Sequence, residues 1–170
     1  MNVTRVLSTP SEAWDQKLPP IGFSLDYSGT AMTVRKFPES DCYLRLLRPP
    51  RGSLEFVVRS YRNEMHNHNT LRNLIHDFAL EIGPSAKMGK TTTIRVGEID
   101  RRAREFVTGT GLSRKKWLAV IIPSPDGGPY GLLVMFGLYI GSNGSGKQVR
   151  ISENPVFKKL IDSFQLTGGR

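Results

Sequence analysis

Apolar positions along this chain change spacing more than once, and each change marks an element. From Gly22 to Tyr27, Phe23, Leu25 and Tyr27 alternate with polar neighbours, the pattern of a strand with one covered face. Ser28-Gly29 supplies turn chemistry, and Met32 to Arg35 follows as the return strand of a hairpin. Tyr43 to Leu47 is a further strand, set between the breaks Pro38-Glu39-Ser40-Asp41 and Pro49-Pro50-Arg51-Gly52. Ser53 to Tyr61 reads as strand because Phe56, Val57 and Val58 are strong β-formers in a short run. The spacing then becomes helical. Leu71, Leu74, Ile75, Phe78, Ala79 and Ile82 fall on one helical face. Asn69 or Thr70 can cap its start by accepting from free N–H groups, and Gly83-Pro84 ends it.

A basic stretch, Ser85 to Lys90, is expected to be flexible. It leads into an alternating β-branched strand, Thr91 to Ile99. Asp100-Arg101-Arg102 is the expected turn into a strand from Ala103 to Thr108. Trp117 to Ile122 and Tyr130 to Ile140 are apolar at neighbouring positions, so both of their faces must be covered. Pro123 to Pro129 between them suits an antiparallel hairpin loop. Val149 to Ile151 is a brief extended piece. Asn154 followed by Pro155 starts a second helix, whose stripe is Phe157, Leu160, Ile161 and Phe164, and which frays into Thr167 to Arg170. The fold class that follows is α+β: a mostly antiparallel sheet with helices on its faces, an α/β/α sandwich. Residues 21–166 form the single domain, 1–20 a flexible polar arm and 167–170 a tail.

Composition narrows the picture modestly. A chain of 170 residues with 38% hydrophobic and 23% charged content builds one core without staples. Cys42 is the only cysteine, so no intramolecular disulfide forms. The longest apolar run, Leu132 to Ile140, falls well short of the roughly 20 residues of a membrane helix, so no integral membrane segment is expected. The polar N-terminal stretch has no signal-peptide core, which favours the cytoplasm; an exported form with its signal already removed stays open. The net charge of +9 points to an anionic partner or to an ordinary basic surface, and the dispersal of the charges favours the latter.

Candidate chemistry is sparse. Gly141-Ser142-Asn143-Gly144-Ser145-Gly146-Lys147-Gln148 nearly matches a phosphate-binding loop after an apolar strand. Gln148 replaces the magnesium-holding hydroxyl residue, and Val149 to Pro155 opens no helix to supply the dipole. The stretch therefore reads as a flexible connection, with nucleotide binding as the weaker alternative. Glu64, His66 and His68 lie close together, but a metal site needs further ligands that the sequence does not place. Cys42 reads as a small buried residue rather than a reactive thiol. No cofactor, metal or catalytic set is expected. Two basic groups stand out as candidate binding residues: Arg101, Arg102 and Arg104, and Arg114, Lys115 and Lys116. Hairpin geometry puts them at opposite ends of a shared strand, so they need not form one patch.

The order and spacing of several stretches resemble the PsbP-like fold family. The carriers are Gly22-Phe23-Ser24-Leu25-Asp26-Tyr27, the helix from Asn69 to Ile82, Val96-Gly97-Glu98-Ile99 through Ala103-Arg104-Glu105-Phe106, the Trp117 strand, and Phe157-Lys158-Lys159-Leu160-Ile161-Asp162-Ser163-Phe164. The family includes the extrinsic photosystem II protein, a yeast Ran-binding import factor, bacterial envelope lipoproteins and Eag-type secretion chaperones. The resemblance implies a non-enzymatic protein-binding module with a protein partner, an adaptor or a secretion-type chaperone. The chaperone version adds an apolar groove and a homodimer. Binding of anionic polymers or lipid head groups through the basic residues is the alternative.

Overall fold

The structure, a computed structural model, describes residues 3–7, 22–30, 32–35, 42–48, 52–62, 68–125, 130–140 and 150–167. Its elements in chain order are β1 (Val3–Leu7), β2 (Gly22–Asp26), β3 (Thr33–Arg35), β4 (Cys42–Arg48), β5 (Gly52–Arg62), α1 (His68–Ile82), β6 (Lys87–Val96), β7 (Ile99–Thr108), β8 (Lys115–Pro123), β9 (Tyr130–Tyr139), α2 (Pro155–Ser163) and β10 (Gln165–Thr167). Seven strands make an antiparallel sheet in the order β3-β4-β5-β9-β8-β7-β6, and β1-β2-β10 make a smaller one.

The double-sided apolar runs build two cores, one on each face of the large sheet. Phe56, Val58, Leu118, Val120, Ile122, Leu132, Val134 and Phe136 point to the side where Phe157, Leu160 and Ile161 of α2 and Phe23 and Leu25 of β2 close over them. The intervening residues Val57, Tyr61, Trp117, Ala119, Ile121, Leu133 and Met135 meet Ile75, Phe78 and Ala79 of α1 on the other side. The α+β sandwich expected from the sequence is thus the observed fold, with the small sheet sharing one face with α2.

Local contacts fix α2 in place. Asn154 Oδ1 accepts from the N–H groups of Val156 and Phe157 at 3.0 and 3.2 Å, with Pro155 opening the helix. The Ser163 hydroxyl accepts from the Asp26 N–H at 2.8 Å, and Lys159 Nζ donates to the Ser28 carbonyl. Hydrogen bonding from Ser28, side chain first and N–H second, holds the Asp26 carboxyl below its usual range.

Several local expectations need correction. Val3–Leu7, expected within a flexible arm, pairs with β2 as a strand. Gln165–Thr167 pairs with β2 on its other side rather than fraying. Both segments gain a backbone partner that no local pattern announces. Lys87 to Lys90 is strand, with a register shift between Met88 and Thr91. The turn between β6 and β7 is Gly97-Glu98, not Asp100-Arg101-Arg102. Gly97 takes φ 62°, which suits a two-residue hairpin, and Val96 then pairs with Ile99. Of the extended piece expected over Val149 to Ile151, Val149 lies outside the described residues, Arg150 is extended, and Ile151 opens a 3-10 turn, Ile151–Glu153. Ile82, expected on the apolar stripe of the helix, is exposed.

Tyr61 lies across Gly131, its partner on β9, and is 3% exposed. Burial pushes its phenol up from 10.0 to about 12, against a smaller opposite pull from the charge of Arg101. A folded-state value above the unfolded one favours the neutral phenol in the native protein. Its stabilisation is complete below pH 10 and is lost as pH rises towards about 12. The stability advantage of the wild type over Tyr61→Phe is therefore expected to fall by about 2 kcal/mol between pH 9 and pH 12, read by denaturant unfolding at each pH. A difference that stays constant across that range would refute the assignment.

Candidate functional site

Strand β7 carries the first basic group and abuts the second. Lys115 and Lys116 pair with Thr108 and Val107 at one end of β7, while Arg101 and Arg102 lie near its hairpin end. At the usual strand rise, Arg102 and Lys115 are roughly 20 Å apart along the ladder. The two groups are not one patch, as hairpin geometry requires.

The second group is used inside the fold. Lys115 Nζ is 3.1 Å from Glu55 Oε2, and Glu55 is 7% exposed. Lys116, itself buried, reaches Glu105 Oε2 at 3.3 Å. Arg114 is half-buried and engaged, and its carbonyl accepts from the Ile140 N–H at 3.0 Å. Attraction to a partner needs charge that is exposed and unneutralised. Lys115 and Lys116 do not meet that condition.

The first group divides by strand alternation. Arg102 and Arg104 share the α1 face of the sheet with Phe106, while Arg101 falls with Ala103 on the α2 face. Arg101 is half-buried, and its Nε has no hydrogen-bond partner among the described residues. Arg104 Nε donates to the Gly89 carbonyl at 3.3 Å, which ties it to the irregular stretch of β6.

Pairing with β6 adds cations that sequence reasoning missed. Lys87, Lys90 and Arg95 are exposed on β6, beside exposed Arg102 and half-buried Arg104 on β7. Strand β6 contains no carboxylate. Arg95 stands opposite Asp100, the nearest compensating position in the register. Among the described residues none of Lys87, Lys90, Arg95 and Arg102 forms an ion pair. The signal was present in KMGKTTTIRV, which has the alternation of a strand across its second half. The prior expectation of a flexible basic stretch hid it. Arg59, by contrast, is half-buried against α1: its guanidinium lies 4.0 Å from the Phe78 ring centroid, and it donates to Glu81 at 2.9 Å.

Other candidates end more simply. The stretch Gly141 to Gln148 lies outside the described residues, as do Glu64 and His66. His68 opens α1 and Cys42 opens β4, but their side chains lie outside what is described. Among the described residues no group of three or more His, Cys, Asp or Glu could hold a metal ion, and no helix is long and apolar enough to cross a membrane.

No family model and no curated protein matches this chain. Solved structures do.

The fold is similar to that of LpqN.

LpqN, a Mycobacterium tuberculosis protein involved in cell envelope biogenesis, matches with a TM-score of 0.53 at 10% identity, over 99% of this chain and 93% of LpqN. A crystal structure from Bacteroides thetaiotaomicron matches 86% of this chain with a TM-score of 0.48 at 11% identity; this chain spans 45% of that protein. At such identity the likeness to LpqN is one of fold.

Proposed function

We propose that this chain is a non-enzymatic binding module of the PsbP-like kind, and that it docks a protein partner with an acidic surface at the β6 edge of its large sheet. The observation that carries the reading is the row of exposed cations along the β6 edge, Lys87, Lys90, Arg95 and Arg102, with Arg95 and Arg102 on the α1 face and Lys87 on the α2 face, no carboxylate on β6 and no ion pair to a described residue. Such a row steers an oppositely charged partner and excludes a like-charged one. LpqN, whose fold this chain shares, is involved in cell envelope biogenesis, which supports a bacterial, envelope-associated role.

The test compares cross-linked partner recovery from the native host, near physiological salt, by the wild type and by the double variant Arg95→Glu, Arg102→Glu. Both positions are exposed, so the melting temperature is expected to fall only slightly, through the repulsion that a carboxylate at position 95 meets from Asp100 opposite it. The wild type is expected to enrich a protein that the variant does not. Equal recovery by the two would overturn the reading. Loss of binding to anionic vesicles in the variant, with no protein enriched by either, would replace the protein partner with a lipid surface.

A further inference from the structure

The β6 edge has a second property besides its charge. Among the described residues β6 pairs with β7 alone, so one side of this ten-residue strand keeps its backbone groups free. The register says which ones. Val96 and Ile99 flank the two-residue turn Gly97-Glu98, and the pair that closes such a hairpin exchanges both backbone hydrogen bonds. Counting back by alternation, Val96, Ile94 and Thr92 direct their N–H and C=O groups to β7. Arg95, Thr93 and Thr91 direct theirs outward. The same alternation sorts the side chains. Thr91, Thr93 and Arg95 lie on the α1 face beside Arg102 and Arg104, and all three are exposed. Ile94 and Val96 lie on the α2 face at the rim of the core, next to Ile99, which is 53% exposed.

Resting on the docking reading above, we propose that β6 receives its partner by strand addition, and that the occupant is an extended segment alternating acidic and apolar residues. The backbone of the segment pairs with the outward groups of Thr91, Thr93 and Arg95. Its carboxylates share the α1 face with Arg95, Arg102 and Arg104. Its apolar residues extend the core beside Ile94, Val96 and Ile99. A second copy of this chain does not fit. Self-pairing through β6 would bring two sets of Lys87, Lys90 and Arg95 together with no carboxylate on either strand, and lysines on an edge are a recognised defence against such pairing.

The probe is the acetylated, amidated peptide SEVEVES, titrated into the full chain and followed by amide exchange and backbone NMR. In the free protein the Thr91, Thr93 and Arg95 amides are expected to exchange fast, with those of Thr92 and Ile94 protected. The peptide is expected to protect the first three. The reordered peptide SEEEVVS is expected to bind at least about tenfold more weakly, since charge alone does not need alternation. With the segment antiparallel to β6, methylating the peptide at its glutamate nitrogens removes the donors that face β6 and is expected to abolish protection; methylating its valine nitrogens is not. Thr93→Pro removes one outward donor while sparing the ladder to β7, and is expected to weaken binding by about tenfold or more. The peptide variants keep the question open to refutation if Thr93→Pro unfolds the protein. Slow exchange of Thr91, Thr93 and Arg95 in the free protein, or equal binding by all the peptides, overturns strand addition. If a native partner is still lost on charge reversal but is indifferent to Thr93→Pro, the docking reading stands and strand addition falls. If neither change matters, both fall.

Discussion

Trp117→Ala is expected to cost about 3 to 5 kcal/mol of stability. The indole is 3% exposed in the middle of the α1-side core. It stacks on Phe106 across the β7–β8 pair, with ring centroids 6.0 Å apart and planes 7° from parallel. Its Nε1–H donates to Thr108 Oγ1 at 2.9 Å, so truncation also strands a buried hydroxyl. The indole further covers Gly137, its partner on β9. A Cβ at Gly137 would sit 2.7 Å from ring atoms of Trp117. Gly137→Ala alone is therefore expected to cost about 1 to 3 kcal/mol through overpacking, and distinctly less once Trp117 is alanine. Urea unfolding of the wild type, both single variants and the double variant reads this coupling. Strictly additive costs, or a Trp117→Ala cost below about 1 kcal/mol, would show that the ring does not occupy this place.

What made the fold legible was the contrast between one-sided and two-sided strands. Phe23 and Leu25 announce a strand with one apolar face, and both join the α2-side core. Trp117 to Ile122 and Tyr130 to Ile140 announce coverage on both sides, and their buried residues divide between the two cores. The helix at α2 was legible from Asn154 and Pro155, because a cap is a local device. What stayed hidden is non-local. Val3–Leu7 and Gln165–Thr167 become strands because β2 offers each of them an edge, and neither segment carries that information itself. The β6–β7 turn was misplaced by a few residues because Asp100-Arg101-Arg102 is polar enough for a turn, whereas Gly97 supplies the positive φ that a two-residue hairpin needs.

The candidate site was half legible for the same reason. A charge on a strand is visible in the sequence, but its face and its neighbours are not. Arg102 belongs to an exposed row only because the register sets it beside Thr93 of an exposed strand. Lys116 leaves the candidate set because Glu105, on the neighbouring strand, takes its charge. Arg101 and Arg102 are adjacent in sequence and end on opposite faces, which strand geometry dictates once the turn is placed at Gly97-Glu98.

Glu55 and Lys115 make the converse case, in which a charged pair belongs to stability. Glu55 stands on β5 opposite Gly137, and its carboxylate meets Lys115 Nζ at 3.1 Å on the α1 face. Glu55→Ala is expected to cost about 2 kcal/mol, because it leaves an ammonium at the core margin without its counter-charge. The figure stays below that for a fully enclosed pair because the Lys115 side chain keeps 26% of its exposure and can turn towards water. Replacing both partners, Glu55→Leu with Lys115→Met, is expected to recover most of the loss, since an apolar pair of similar volume avoids desolvating either charge. The same variants separate stability from docking. Lys115→Met should lower the unfolding midpoint while leaving partner recovery unchanged, whereas Arg95→Glu should do the reverse. If Lys115→Met weakened partner recovery as much as Arg95→Glu does, the docking surface would have to include the β8 end of the sheet, and the β6 edge would lose its special standing.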